Sequence, residues 1–106
     1  MSAAPGELGD VATRVIFEND RVKVWELVLE PGESSDFHEH TMDYMLCILE
    51  GESVDADFPD GKSFKLPVET GSFFFIPKGN RETAVNRSNT RYREILIELK
   101  DPAPQA

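Results

Sequence analysis

Residues 31–52 read PGESSDFHEHTMDYMLCILEGE and hold the two histidines of the protein, His38 and His40. Side chains two positions apart on an extended strand point to the same side, so both imidazoles face one way, and Tyr44 shares their parity. Two imidazoles side by side can bind one metal ion. The ordinary alternative is that His38-Glu39-His40 is a solvated stretch beside a turn.

A second stretch with its own glycine, proline and asparagine framework begins at Gly71, twenty residues after Gly51. The first pattern is Gly32-x5-His38-x-His40-x3-Tyr44-x6-Gly51, and the second is Gly71-x5-Pro77-x-Gly79-x2-Glu82-x3-Asn86. This pair resembles the two motifs of the cupin superfamily, small β-barrels that hold a metal ion in the barrel mouth. The motifs and the hairpin between them cover residues 31–86, and the flanking strands lie where the outer strands of cupins belong.

Short apolar or β-branched runs, separated by turn signals, predict strands along the whole chain. They span residues 15–17, 22–29, 45–49, 63–66, 72–76 and 92–99. No window of a dozen residues has helical spacing with caps, and 106 residues suffice for one core. We therefore expect an all-β fold, a single small cupin (double-stranded β-helix or jelly-roll) barrel, at residues 11–100. A flexible N-terminal arm is expected at 1–10 and a flexible C-terminal tail at 101–106.

Several of these runs are apolar on both faces of the strand. Residues 45–49 (MLCIL), 73–76 (FFFI) and 95–97 (ILI) lack the polar alternation of a sheet with one face in water. Either the terminal strand of the chain or a second copy of the molecule must cover the outer face. In so short a chain we favour the second copy and expect a homodimer.

The resemblance implies a metal site, with two departures from the usual ligands. Tyr44 replaces the usual glutamate of the first motif, and Glu82 replaces the usual histidine of the second. In one interpretation His38, His40 and Glu82 hold one divalent ion, and Tyr44 is a candidate catalytic base or extra ligand. Two nitrogens and a carboxylate suit ferrous iron, and Mn, Ni, Co or Zn could also bind. In a second interpretation the pocket holds a small molecule without metal, and in a third Asp36 replaces Glu82.

Tyr44 has an ordinary interpretation and a functional one. A buried tyrosine is most often a packed ring whose hydroxyl is hydrogen-bonded. Beside a divalent cation, the pKa of its hydroxyl would fall below about 10, and the phenolate could act as ligand or base. Cupin lyases that split dimethylsulfoniopropionate look similar here. Residues 38–44 (HEHTMDY) also resemble a subgroup of very short bacterial cupins, some of them described as β-alanine degradation proteins.

Charge and composition exclude several classes of partner. Twenty acids against eleven basic residues leave a formal charge of −9, which repels nucleic acid and anionic lipid, so neither nucleic acid nor membrane is expected as a partner. The single cysteine, Cys47, excludes an internal disulfide and a cysteine-built zinc site. No apolar run is long enough to span a bilayer and no export signal is visible, so the cytoplasm is the expected compartment.

The charged side chains add one more candidate. Arg91 and Arg93 share a parity with the isoleucines at 95 and 97, and on a face lining the barrel either arginine could bind a substrate carboxylate. We favour the alternative that they neutralise acidic surface at strand ends. The aspartates at 55, 57 and 60 are expected on an exposed hairpin, and Trp25 is expected in the core or a dimer contact.

Together these features predict a metal-binding small cupin that acts as an enzyme on a small organic acid or related metabolite. Oxygenase, lyase and isomerase chemistry are all compatible, with the metal polarising a substrate oxygen or binding dioxygen. The alternative from a different class is a non-catalytic small-molecule-binding or sensory module that uses the same pocket.

Overall fold

The computed structural model describes residues 7–101, which form nine β-strands and no helix. The strands are β1 (Arg14–Glu18), β2 (Val22–Leu29), β3 (His38–Glu39), β4 (Tyr44–Glu50), β5 (Ser53–Asp57), β6 (Ser63–Pro67), β7 (Phe73–Ile76), β8 (Arg81–Val85) and β9 (Tyr92–Leu99). The six predicted strands are confirmed. Residues 1–6 of the predicted arm and 102–106 of the predicted tail lie outside the described residues. Within the described range, no helix is long and apolar enough to cross a membrane.

The strands form two antiparallel sheets that enclose the core. The larger sheet has the order β1-β2-β9-β4-β7 and the smaller sheet the order β3-β8-β5-β6. The core combines buried apolar side chains of the large sheet, such as Leu27, Leu46 and Ile48, with Val54 of the small sheet. Non-consecutive neighbours such as β2 and β9 produce the jelly-roll topology, so the predicted all-β fold is confirmed.

Strands β3, β5 and β8 have no counterpart among the predicted strands, because their sequences are polar. Strand β5 contains Asp55, which was expected to be exposed but is 9% exposed and accepts a hydrogen bond from Arg87 at 3.0 Å. Arg87 also binds Asp57. The prediction for Asp55 was therefore wrong, because an arginine beyond the end of β8 compensates its charge and allows an acid to lie in a paired strand.

The arginines were considered as substrate ligands on one face of β9, but it is the other face of this strand that points inward. Tyr92, Glu94, Leu96 and Glu98 are buried, at 0 to 3% exposure. Arg93 shares the outward parity and pairs with Glu26 at 2.9 Å. Arg91 is exposed and pairs with Glu30 at 3.3 Å. Both arginines therefore neutralise acids at strand ends, as favoured from the sequence, and neither lines the interior.

The outward face of the large sheet carries an apolar row that crosses all five strands. Phe17 lies opposite Val24, which lies opposite Ile97, and the row continues through Met45 to Phe75. At the two ends of this row, Phe17 is 55% exposed and Phe75 is 57% exposed. Phe73 extends the apolar surface beside the row and is 57% exposed. We call the residues Phe17, Val24, Ile97, Met45 and Phe75 the outer row. Such a contiguous apolar surface is unusual for a monomer in water.

Asn86 holds the turns at one end of the two sheets together. Its side chain is fully buried, and its Nδ2 donates to the carbonyls of Leu29 and Thr90, both at 2.8 Å. Its Oδ1 accepts from the backbone N–H of Ser88 at 3.0 Å. Its carbonyl accepts from the N–H of Gly32 at 2.7 Å, at a turn where Gly32 has a φ of 87°. The side chain therefore joins the end of β2 to the turn at residues 88–90, and the backbone carbonyl of Asn86 adds the turn at Gly32.

Replacing this asparagine is expected to destabilise the fold. Asn86→Ala removes the side-chain partner of the carbonyl of the buried Leu29, of the carbonyl of Thr90 and of the N–H of Ser88, so we expect a loss of about 2–4 kcal/mol in the free energy of unfolding. Asn89→Ala is the matched control, because Asn89 is exposed in the same turn, and it should change stability by less than about 0.5 kcal/mol. Urea denaturation measures both, and equal effects of the two variants would contradict the assigned role.

Candidate metal centre

Two short strands of the small sheet bring the first histidine and the acid together. Strand β3 pairs with β8 so that His38 lies directly opposite Glu82. The chain then continues to His40, whose N–H donates to the carbonyl of Asn80 at 2.9 Å and whose carbonyl accepts from the N–H of Gly79 at 2.8 Å. Gly79 has a φ of 120°, which a residue with a Cβ rarely adopts, and this explains the glycine of the second motif. Backbone pairing therefore joins the two motifs across about forty residues of sequence.

The three candidate ligands present their donor atoms to one point. The Nε2 atoms of His38 and His40 are 3.1 Å apart, and Nε2 of His40 is 3.6 Å from Oε1 of Glu82. All three donor atoms lie within 4.8 Å of one another. Two nitrogens bound at about 2.1 Å and at right angles to one ion would be about 3 Å apart, so the spacing of the histidines fits a shared metal ion.

The protein itself selects the form in which His38 can act as a ligand. Its Nδ1 lies 2.8 Å from the carbonyl oxygen of Asp36. A carbonyl only accepts, so this nitrogen must donate its proton, and the lone pair is left on Nε2, where the ligand atom is needed. Nδ1 of His40 is buried without a hydrogen-bond partner among the described residues. A proton displaced from Nε2 of His40 by a metal ion can therefore move to its Nδ1.

The charges of the site favour neutral imidazoles. Burial, together with the neighbouring His38, lowers the pKa of His40 to about 3. Burial also lowers the pKa of His38, although the carbonyl of Asp36 opposes the shift. Burial raises the pKa of Glu82. At neutral pH both imidazoles therefore carry the free electron pairs that metal coordination requires.

Tyr44 lies directly against this group. Its ring stacks on the imidazole of His40, with centroids 3.8 Å apart and planes at 13°, and its hydroxyl donates to Oε1 of Glu82 at 3.5 Å. Burial and the charge of Glu82 raise the pKa of this hydroxyl. The side chain therefore combines both interpretations from the sequence: it is a packed ring, and its hydroxyl oxygen reaches the carboxylate of the candidate metal site.

The site opens into an apolar cavity of about 310 Å³ between the two sheets. Its lining includes the phenylalanines at positions 58, 64 and 74. The two histidines, Tyr44 and Glu82 form one polar part of its wall, and no lysine or arginine lies among the described lining residues. Its size is at the lower end of the range for small-molecule sites, so a small ligand with an apolar body fits best.

Sequence reasoning placed the metal candidates together but missed other acids of the interior. The metal group includes Glu82, whereas Asp36 contributes its backbone carbonyl to His38. Glu94 lines the cavity, and Glu98 is buried and accepts from Nε1 of Trp25 at 2.6 Å. Every second residue of β9 belongs to one set: Tyr92, Glu94, Leu96 and Glu98. Had this set been taken as the inward-facing one, the sequence would have placed both acids in the interior.

The comparisons with known proteins agree with this geometry. Residues 25–98 match the cupin domain family model. A cupin domain from Bordetella pertussis Tohama I is 30% identical, with a TM-score of 0.76 over 83% of this chain and 91% of that chain. A cupin superfamily protein from Desulfitobacterium hafniense DCB-2 is 21% identical, with a TM-score of 0.64 over 91% of this chain and 83% of that chain.

A third solved structure is that of an enzyme. The polyketide cyclase RemF from Streptomyces resistomycificus is 25% identical, with a TM-score of 0.60 over 81% of this chain and 59% of that chain. A search of curated proteins found no match. The family model covers most of the chain, and the jelly-roll topology and the histidine pair agree with it. The chain therefore belongs to the cupin family.

Proposed function

We propose that the protein is a metal-dependent cupin enzyme that acts on a small organic acid or related metabolite. The observation that carries this proposal is the convergence of Nε2 of His38, Nε2 of His40 and Oε1 of Glu82 within 4.8 Å, on the wall of an apolar cavity. One divalent ion of the first transition series (Fe, Mn, Ni, Co or Zn) suits two nitrogens and one carboxylate. When bound, it would polarise a substrate oxygen as a Lewis acid.

The residues around the proposed metal ion have separate roles. The carbonyl of Asp36 keeps His38 in the ligating tautomer, and Glu82 supplies the negative charge that offsets part of the charge of the ion. Tyr44 is the candidate base or extra ligand, because its hydroxyl lies 3.5 Å from Oε1 of Glu82. The phenylalanines make the wall of the cavity around these groups mainly apolar.

The absence of cations from the described cavity wall supports a particular binding mode for an acid substrate. Since no lysine or arginine is present there, a substrate carboxylate would have no protein charge to pair with. Only the metal ion could compensate it. The carboxylate, or an oxygen beside it, is therefore the group we expect at the ion.

The first test is the metal content of the protein. Purified without a histidine tag, it should carry nearly one equivalent of a divalent metal by elemental mass spectrometry. His38→Ala and His40→Ala should each lower the content at least tenfold, because each removes one of three ligands. Glu82→Gln should lower it less, since an amide oxygen can still bind weakly.

The matched control for the metal test is Glu98→Gln, which changes a buried acid that is not among the cavity-lining residues. Its metal content should equal that of the wild type. A folded wild type that cannot be loaded with any of the five metals would contradict the proposal.

The second test addresses Tyr44. Tyr44→Phe keeps the ring that stacks on His40 but removes the hydroxyl. If Tyr44 is the base, kcat for any acid that the wild type turns over should fall about 10²- to 10⁴-fold while the metal content stays unchanged. A metal content that falls with kcat would instead identify Tyr44 as an extra ligand. Unchanged kcat and metal content would contradict both roles.

A non-catalytic binding or sensory module is the second candidate, and the apolar cavity favours it equally. A cavity of about 310 Å³ lined by phenylalanines can retain a ligand whether or not it reacts. The two candidates differ in one result. Metal-loaded protein that binds acids from a panel without converting any of them would support the binding module.

We also propose that a second copy of the chain covers the outer row, forming a homodimer. The outer row is uncharged, whereas ion pairs such as Arg14–Glu26 lie at its side, so two copies can face each other without opposing charges. The exposed phenylalanines at 17 and 75 would be buried by this contact.

Sedimentation velocity tests the dimer. The wild type should sediment as twice 11.9 kDa, and Phe17→Asp should shift it to the monomer, because a charge would be buried in the contact. Asn89→Asp, which adds the same charge on an exposed turn, should leave the dimer intact. A monomeric wild type, or a dimeric Phe17→Asp, would contradict the proposal.

A further inference from the structure

Glu94 is a buried acid in the cavity wall that the proposed metal chemistry does not use. It lies on β9 opposite Ile48 of β4, whereas Tyr44 lies opposite Glu98. The two positions on β9 are four residues apart, which corresponds to about 13 Å along the strand. Glu94 is 3% exposed and lines the cavity. Its backbone is therefore well separated along the barrel from that of Tyr44, which stacks on the metal ligand His40.

Tyr92 holds this carboxyl group in position from behind the cavity wall. Tyr92 is fully buried and does not line the cavity, and its hydroxyl donates to Oε1 of Glu94. Its ring packs against Gly51, where an added Cβ would meet Cδ1 of Tyr92 at 2.9 Å. The ring is therefore confined by the backbone of Gly51. With Oε1 bound to Tyr92, Oε2 is the oxygen of Glu94 available to a ligand.

Fold stability does not explain an acid at this position. Burial raises the pKa of Glu94 to about 7; the hydrogen bond from Tyr92 opposes this shift, and the charge of Glu82 adds to it. No lysine or arginine among the described residues lines the cavity to compensate its charge. The wall also contains Glu82 and Asp55, and of these three acids Asp55 is paired with Arg87. Buried carboxyl groups without a cation are costly, so they are typical of functional positions.

We propose that Glu94 is a specificity-determining residue that hydrogen-bonds a hydroxyl group on the part of the ligand that does not bind the metal ion, and that it excludes ligands with a carboxylate there. This inference rests on the proposed function for its orientation, since the metal would bind the other end of the ligand. It narrows the proposed substrates to acids whose far end is uncharged and carries a hydroxyl.

A hydroxyl group fits Glu94 better than the alternatives do. It can donate to the ionised carboxylate and accept from the neutral acid, so it is satisfied in either protonation state. A methyl group would leave Oε2 of Glu94 without a hydrogen-bond partner, which costs free energy. A second carboxylate would face like charge with no cation beside it.

The test uses three probes of similar shape on the metal-free protein at pH 8: 4-methylphenol, toluene and 4-methylbenzoate. NMR titration should give a dissociation constant for 4-methylphenol at least tenfold below that for toluene, and no detectable binding of 4-methylbenzoate. In a cavity that selects by hydrophobicity alone, toluene would bind more tightly than the phenol. Equal or tighter binding of toluene by the wild type would overturn the proposal.

Two variants assign the preference to Glu94. Glu94→Leu should abolish the preference for the phenol, because the hydrogen bond is lost. Glu94→Gln retains a hydrogen-bonding group but not the charge, so it should keep a preference for the phenol that is smaller than that of the wild type. If Glu94→Leu does not fold, Glu94→Gln still decides, since a preference for the phenol equal to that of the wild type in this variant would overturn the proposal.

Glu98→Gln is the matched control, because Glu98 is a buried acid on the same strand that is not among the cavity-lining residues. It should bind all three probes as the wild type does. A change in preference equal to that of Glu94→Gln would overturn the assignment to Glu94. None of these measurements needs a metal ion, so their failure is distinguishable from failure of the metal-content test.

Discussion

The antiparallel pairing of β3 with β8 is the constraint on which the site depends. It sets His38 opposite Glu82, and the backbone bonds of His40 to residues 79 and 80 hold the second imidazole beside the first. With the two Nε2 atoms 3.1 Å apart and both side chains buried, neither histidine can carry a charge without cost. The pairing thus creates a concentrated set of electron donors, which a divalent cation can satisfy.

Among the described residues, the wall of the cavity contains acidic side chains but no lysine or arginine. Glu82 and Glu94 both line the cavity, and burial raises the pKa of each. The arginines are on the outside, where Arg93 pairs with Glu26 and Arg87 pairs with Asp57 and with Asp55 of the cavity wall. Among the described residues, no lysine or arginine lines the cavity beside Glu82 and Glu94. A metal ion at one part of the wall and an uncharged hydroxyl at another would satisfy both acids.

Much of the fold could be predicted, because apolar runs and turn residues act locally. Strands such as β2 and β4 follow from their apolar residues, and the parity of His38, His40 and Tyr44 follows from strand geometry alone. The polar strands β5 and β8 could not be predicted in this way. Their stability comes from partners distant in sequence, such as the contact between Asp55 and Arg87, which no local pattern reveals.

The amino-acid sequence by itself determined the cupin framework and the candidate ligands, because the glycines, the proline and the asparagine of the two motifs occupy positions where backbone geometry allows few substitutes. The tertiary structure alone decided which face of β9 points inward. The side chains at the arginine and isoleucine positions of β9 face outward, and those of Glu94 and Glu98 face the interior. Both faces of this strand are largely covered by protein or apolar neighbours, so periodicity could not distinguish inside from outside.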